Sequence, residues 1–218
     1  MTATITFDPT HETGRYPLVV SQNRLRRWGA CSDARDALRE LFPTYSAGDV
    51  PWTVESAWRI YRHNRGMVFW SLIPLTRAQR AALVRDGLEA LRLLVLAGLA
   101  RTTDNTLEGV RDVLSDSTYW LSHEGWQRLD HLNRVNSGPV SNLAYLLSRI
   151  SSRVDDTGDL TTASWTTIHD ICDDLMEAAN TLDTCLPDCP DKAEQRLGDY
   201  LFAYIRDAGY QRVSAHYS

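Results

Sequence analysis

The chain has 218 residues, of which 43% are hydrophobic and 23% charged, and its formal net charge is −5. This length suits one domain or two small packed ones, and the apolar fraction excludes wholesale disorder and a collagen-like repeat. Lys192 is the single lysine among 23 basic residues, which excludes P-loop nucleotide hydrolysis and penicillin-binding-type acyl transfer, because both need a motif lysine.

The cellular setting is inferred from apolar runs and cysteines. The most apolar stretch, residues 93–100, is much shorter than the roughly 20 residues that cross a bilayer. Residues 1–8 lack a basic region followed by an apolar run, so no secretory signal is expected. Four cysteines without an export signal indicate free thiols in the reducing cytoplasm.

The chain begins with extended segments. Ile5 and Phe7 are separated by a threonine, and a second extended run over residues 16–20 follows a glycine-containing turn. This alternation predicts a short N-terminal arm or hairpin.

Three helices are predicted in the rest of the first hundred residues, over 32–41, 53–63 and 76–99. Ser32 and Thr53 are typical N-terminal caps, and Thr76 with Gln79 forms a capping box for the longest helix. The wide apolar stripe of that helix predicts that it is central and buried. The stripe consists of Leu83, Leu88, Leu91, Val95 and Leu99.

The second half of the chain is also helical by its spacing. Helices are predicted over 107–114, 122–135, 140–154 and 165–182, with a last one opened by Asp191 and Glu194 and ending near Gly209. The helices over 140–154 and 165–182 carry apolar residues at alternating spacings of three and four, which is typical of helices packed side by side. Residues 154–162, rich in Asp, Thr and Gly, are interpreted as a hinge.

Together these elements predict an all-α fold, a compact bundle of about eight helices with a short extended N-terminal arm or hairpin. Charge divides it unevenly. Residues 1–150 carry 18 basic and 15 acidic side chains, whereas residues 151–199 carry 3 basic and 12 acidic ones. We therefore expect an N-terminal subdomain over 1–100 and an acidic C-terminal subdomain over 101–218, or one continuous domain.

Residues 25–84 contain a set of short motifs. Trp-Gly-Ala-Cys ends at Cys31, Leu-Phe-Pro ends at Pro43, and Leu-Thr-Arg-Ala-Gln-Arg ends at Arg80. In this order they resemble a small helical module found in proteins of bacteriophages and prophages. The resemblance implies a cytoplasmic, phage-like accessory protein, and it carries no catalytic residues.

Four residues have a spacing that permits a metal site. His169 and Cys172 lie three residues apart, and Cys185 and Cys189 lie four apart. Nitrogen and sulfur ligands in this number fit tetrahedral zinc. The alternative is that Cys172, which belongs to the apolar seam of its helix, is a small core residue. No other cofactor is indicated.

A basic stripe is predicted on the second helix. Arg59, Arg62 and Arg65 follow one another at three-residue intervals close to Trp58, a combination able to neutralise phosphates or to form a protein-binding hot spot. The overall charge balance of residues 1–100 disfavours dedicated nucleic-acid binding.

A cysteine hydrolase would use Cys31, which precedes a predicted helix, as its nucleophile. His63, His123 and His131 are available as bases, but no family signature connects them with that thiol. No catalytic residue is therefore assigned.

The leading hypothesis is a non-enzymatic protein that binds a host or phage protein and inhibits a host factor or a host defence component. The absence of a catalytic signature, the many tryptophans and arginines, and an acidic C-terminal segment that could dock onto a basic surface or imitate nucleic acid favour it. The expected acidic contact residues are Asp170, Asp173 and Asp174. The alternatives are a zinc-supported helical protein and a nucleic-acid binder through the arginine face.

Overall fold

The structure is a computed structural model that describes residues 19–43, 50–101, 107–186 and 192–215, with side chains described as far as residue 208. Helices account for most of it, so the predicted all-α fold is confirmed. Within these ranges the helices are α1 (Gln22–Arg27), α2 (Ser32–Leu41), α3 (Val54–His63), α4 (Arg65–Val68), α5 (Arg77–Leu99), α6 (Glu108–Ser115), α7 (His123–Val135), α8 (Gly138–Thr157), α9 (Trp165–Cys185) and α10 (Ala193–Ala215). The described residues also include the 3-10 helices Phe69–Leu72 and Tyr119–Leu121.

Three helix starts follow capping residues, but the cap predicted at Ser32 is wrong, because α2 begins at Ser32 itself and has no side-chain cap. The hydroxyls of Thr53 and Thr76 accept hydrogen bonds from the third helical N–H of α3 and α5, and the reciprocal capping-box bonds are present in both. Ser122 caps α7 in the same way. These local bonds satisfy backbone donors that the helix cannot pair, which explains why the predicted starts of these three helices are correct.

The extended segments form a two-stranded antiparallel sheet. Strand β1 (Val19–Val20) pairs with β2 (Val50–Pro51), with Val19 opposite Pro51 and Val20 opposite Val50. The pairing closes the loop around α1 and α2 and brings the start of α3 beside them. Ile5, Phe7 and residues 16–18 of the predicted arm lie outside the described residues.

The core is built around α5, as its stripe predicts. Every residue of that stripe is at most 3% exposed. Helix α9 packs on both α5 and α8, and most of the apolar seam residues of α8 and α9 are buried. The core runs across residue 100, because α5 packs on both α9 and α10. The proposed division into two subdomains stays a prediction.

Two predicted boundaries are wrong. The last helix continues past Gly209 to Ala215. The predicted hinge is helical through Thr157, and the chain then turns at Gly158, whose φ of +62° suits glycine. Leu160, two residues after Gly158, is buried and anchors this turn to the core.

The start of α10 is capped from another helix. The carboxylate of Asp183, near the end of α9, accepts hydrogen bonds from the backbone N–H groups of Ala193 and Glu194 at 2.7 and 3.1 Å. Asp191, the predicted cap, lies outside the described residues. Among the described helices, none has the length and apolarity that crossing a bilayer requires.

Candidate interaction surface

Three arginines stand in a row along α3 and at the start of α4, and they are here called the arginine ladder (Arg59, Arg62 and Arg65). All three are solvent-exposed. Each guanidinium lies over an aromatic ring: Arg59 over Phe42 at 4.9 Å, Arg62 over Trp58 at 5.6 Å and Arg65 over Tyr61 at 5.8 Å. Such cation–π contacts hold the side chains in place while the guanidinium edges remain available to an incoming group.

The ladder has no internal counter-ion among the described residues, since no carboxylate there lies within ion-pair distance of its three guanidinium groups. Arg149 and Arg153, by contrast, are both paired with carboxylates of α9. The ladder thus places three exposed guanidinium groups in a row, each over an aromatic ring and none in a described ion pair. Asp173 interacts with Arg65 only from beyond ion-pair distance.

A cluster of buried aromatic rings supports the ladder. Trp58 and Tyr61 pack edge-on at 5.4 Å, and Phe202 of α10 lies 5.2 Å from Trp58 and 6.0 Å from Tyr61. Aromatic pairs in such tilted arrangements add to the stabilisation from burial. The rings beneath the ladder thus belong to the hydrophobic core.

Polar bonds attach the same cluster to α10. The indole N–H of Trp58 donates to Asp199 at 2.7 Å, and the Tyr61 hydroxyl donates to Glu194 at 3.0 Å. Trp58 is only 7% exposed although it lines the cleft beside the ladder, so its direct contact with a partner stays a prediction. Trp58 is a core residue whose ring face supports Arg62 from below.

A cleft of about 440 Å³ opens beside the ladder and is here called the ladder cleft. Its basic lining residues are Arg62, Arg65, His63 and Lys192, and its acidic ones are Asp183 and Glu194. Both carboxylates are already hydrogen-bonded, to the start of α10 and to Tyr61 respectively. The basic groups of the cleft are therefore more available to a ligand than its two carboxylates.

The acidic residues of α9 behave differently from the expectation. Asp174 is buried, 4% exposed, and pairs with Arg149 and Arg153 of α8. Asp170 is exposed but also pairs with Arg153, at 3.3 Å. The prediction that Asp174 contacts a partner is wrong, because its carboxylate joins α8 to α9 inside the protein.

Asp173 is half-buried, and its Oδ1 atom is buried without a hydrogen-bond partner in the described structure. Burial raises the pKa of this carboxyl, with Glu177 acting in the same direction, while His169, Arg65 and Arg149 oppose the rise. The charged form of Asp173 therefore destabilises the fold, and only part of this side chain is accessible to a partner.

Part of the negative charge of residues 151–199 is neutralised inside the protein. Arg149 pairs with Glu177, and Arg153 pairs with Asp170. Among the described residues, Asp159 and Asp199 accept hydrogen bonds only from neutral groups and remain exposed charges. The excess of 12 acidic over 3 basic residues is therefore reduced by these ion pairs but not removed.

The zinc hypothesis fails on helix geometry. Cys172 and Cys185 lie on one continuous helix, 13 residues apart, which corresponds to about 20 Å along its axis. Ligands of one tetrahedral zinc lie within a few ångströms of each other, so His169 and Cys172 cannot share an ion with Cys185. Within the described ranges no group of three potential ligands is close enough for a metal, and Cys189 lies outside those ranges.

The two described candidate ligands of α9 have other surroundings. Cys172 is fully buried, and burial raises the pKa of its thiol, which confirms its alternative interpretation as a small core residue. The His169 ring is held by the Gly66 carbonyl at 3.1 Å and by Asp170 at 3.3 Å.

A second depression of about 580 Å³, here called the aromatic groove, lies between the starts of α2 and α9 and the short helix α4. The ring centroids of Trp70 and Trp165 lie 5.3 Å apart in a tilted arrangement, and Met67 adds apolar surface. His63 lines both this groove and the ladder cleft, so the two depressions adjoin. No sequence pattern connects the two tryptophans, because they are 95 residues apart.

The groove brings Cys31 and His63 of the cysteine-hydrolase hypothesis to one site, together with His169. His123 is elsewhere, beside Trp126 and Asp155. Among the described residues the Cys31 thiol has no hydrogen bond to an imidazole, and both His169 nitrogens are already engaged. The contacts that activate a catalytic thiol are therefore not made.

Comparison with protein-family models, with curated proteins and with solved structures gave no match in any of the three. The ladder, the ladder cleft and the groove are therefore the features that indicate a function.

Proposed function

We propose that this protein is a non-enzymatic accessory protein that acts by binding another protein, and that the arginine ladder is its contact surface for an acidic segment of that partner. The observation that carries this proposal is the ladder itself: three exposed guanidinium groups, each seated on an aromatic ring and none paired with a carboxylate of the described residues. Arginine forks recognise carboxylates with two parallel hydrogen bonds.

Pre-organisation is the physical advantage of this arrangement. An exposed arginine on a flexible stem loses side-chain entropy when it binds, which reduces the net gain from a surface ion pair. The rings of Phe42, Trp58 and Tyr61 already restrict the three side chains. Part of the side-chain entropy is therefore already lost in the free protein, which reduces the entropy loss on binding.

The setting proposed for this activity is the cytoplasm. Cys31, Cys172 and Cys185 are free thiols in the described structure, which suits a reducing compartment. The phage-like module over residues 25–84 includes α3, so the proposed partner is a host or phage protein, such as a host defence component that the interaction would inhibit.

A fluorescence-anisotropy titration with labelled oligo-glutamate tests the proposal. The ladder variant Arg59→Gln, Arg62→Gln, Arg65→Gln is compared with a control variant that replaces three other exposed arginines with glutamine, Arg77, Arg85 and Arg128. We expect the wild type and the control to bind at low salt and the ladder variant to bind much more weakly. Equal binding by the two variants, or none by the wild type, would contradict the proposal.

Single-stranded nucleic acid is the second candidate, favoured by the combination of the ladder arginines with the half-buried Trp70 and Trp165 in the adjoining groove. Phosphate contacts and base stacking are the usual elements of such binding. Oligo-thymidylate of the same charge as the peptide distinguishes the two, because a nucleic-acid binder would hold it more tightly than oligo-glutamate.

A further inference from the structure

The aromatic groove and the ladder cleft form one continuous surface, since His63 lines both of them. The groove contains the apolar and aromatic side chains of Trp70, Trp165 and Met67, whereas the ladder cleft contains an excess of basic over acidic side chains. Their chemistry differs, so they are suited to different parts of the same ligand.

We propose that this surface binds a single linear peptide segment of the partner, with an acidic run on the arginine ladder and one large apolar side chain in the aromatic groove. This inference rests on the proposed function, because it assumes that the ladder contacts an acidic protein segment. It adds the form of the partner, a linear segment with an apolar anchor.

The groove has the composition and size of an anchor pocket. Trp70 and Trp165 are only partly buried, and the small residues Ala34 and Ala37 and the flexible Met67 line the same groove. Tryptophan walls are common at binding hot spots, and methionine adapts to the shape of an inserted group. A volume of about 580 Å³ is within the range of ligand pockets, about 300–1,000 Å³, and holds a leucine or phenylalanine side chain with its backbone.

The ladder sets the length of the acidic run. Arg59 and Arg65 are separated by six residue steps, helical except at Asn64, where the backbone is extended. At about 1.5 Å per helical step and about 3.3 Å per extended one, the ladder is about 11 Å long. An extended peptide advances about 3.3 Å per residue. About three consecutive residues of the partner therefore span the ladder. Because successive side chains of an extended chain point to opposite faces, the first and the third of them can direct carboxylates at the ladder.

Carboxylates at the edges of both depressions favour a peptide over a nucleic acid. Asp33 and Asp170 line the groove, and Asp183 and Glu194 line the ladder cleft. A nucleic acid carries a phosphate at every nucleotide and would meet these like charges. A peptide can place neutral or basic residues next to them and keep its acidic residues at the ladder.

Selection from a displayed library of random linear peptides tests the inference and does not require the partner to be identified first. We expect peptides selected by the wild type to be enriched in a short run of Asp or Glu and, at a constant distance from it, in Phe, Trp, Leu or Met. The full-length ladder variant should select peptides without the acidic run. These two enrichments report on separate parts of the surface.

Thr166→Phe is the variant that fills the groove. Thr166 is exposed and lines the groove at the start of α9, where its hydroxyl contacts Ser164. Thr184→Phe is the matched control, an exposed threonine near the other end of the same helix whose hydroxyl bonds Asn180. We expect Thr166→Phe to lose the apolar enrichment and retain the acidic run, and Thr184→Phe to retain both.

The outcomes separate the two proposals. Replacing the anchor of a selected peptide with alanine should weaken its binding to the wild type about tenfold, the effect of burying one large apolar side chain, and should change binding to Thr166→Phe little. An acidic run without an anchor preference would overturn this inference and leave the proposed function standing. No acidic enrichment would overturn both, and tighter binding of oligo-thymidylate than of selected peptides would assign the surface to nucleic acid.

Discussion

Gly198 on α10 is the position where the support of the arginine ladder is most sensitive to a small change. A Cβ atom at this position would lie 2.3 and 2.6 Å from two ring carbons of Trp58 and 3.0 Å from the Met176 methyl group. Glycine therefore allows the indole ring to rest directly on the α10 backbone. The substitution Gly198→Ala should displace the ring that carries Arg62.

The magnitude follows from opposing effects. The closest contact is about 1 Å shorter than ordinary van der Waals contact, and the ring has little freedom because its N–H bonds Asp199. We therefore take the overpacking cost near the upper end of the usual range, about 3 kcal/mol. Replacing glycine with alanine inside a helix returns about 1 kcal/mol. The net loss in the free energy of unfolding is about 2 kcal/mol, or about 4–8 °C in Tm for a chain of this size.

Urea denaturation followed by far-UV circular dichroism measures this loss, and thermal melting checks it. Gly66→Ala is the control, because its Cβ would have no neighbour closer than 3.7 Å, and it should be at least as stable as the wild type. Gly198→Ala should also bind oligo-glutamate more weakly. If Gly198→Ala is as stable as the wild type, the packing of Trp58 on α10 is not as described.

Three further predictions concern α9 and the thiols. Burial raises the pKa of Asp173 in the folded protein, so the free energy of unfolding falls as pH rises through that pKa. Asp173→Asn should therefore raise the urea midpoint above that of the wild type near neutral pH. This gain should disappear below about pH 4, where the wild-type carboxyl is protonated in both states. Asp174→Ala should cost about 2 kcal/mol, less than the 3–5 kcal/mol of a fully buried pair, because Arg149 is partly exposed; urea denaturation measures it. Iodoacetamide should alkylate the exposed Cys31 in the folded protein but Cys172 only after unfolding, as peptide mass mapping would show.

Local signals account for the part of the fold that the sequence predicts correctly. Capping residues such as Thr53, Thr76 and Ser122 act within four residues of the helix start, and the apolar stripe of α5 repeats at the helical period. The start of α10 depends instead on Asp183, about ten residues upstream in another helix. A cap from another helix leaves no local pattern to read.

The candidate site is predictable from the sequence to a smaller extent. The three-residue spacing groups Arg59, Arg62 and Arg65, and all three are exposed in the structure. The same pattern cannot show that Trp58 is turned inward, because its burial depends on Gly198 and Phe202 of a helix about 140 residues away. The burial of Asp174 escapes the pattern for a similar reason, since its partners belong to α8.

Removal of the ladder charges tests the central claim, that the ladder binds acidic segments, most directly. At low salt, three guanidinium–carboxylate contacts of about 0.5 kcal/mol each correspond to roughly a tenfold difference in affinity. We predict that the triple glutamine variant at Arg59, Arg62 and Arg65 binds oligo-glutamate at least about tenfold more weakly than the control variant at Arg77, Arg85 and Arg128, with the difference shrinking at high salt. Equal affinities of the two variants at low salt would contradict this claim.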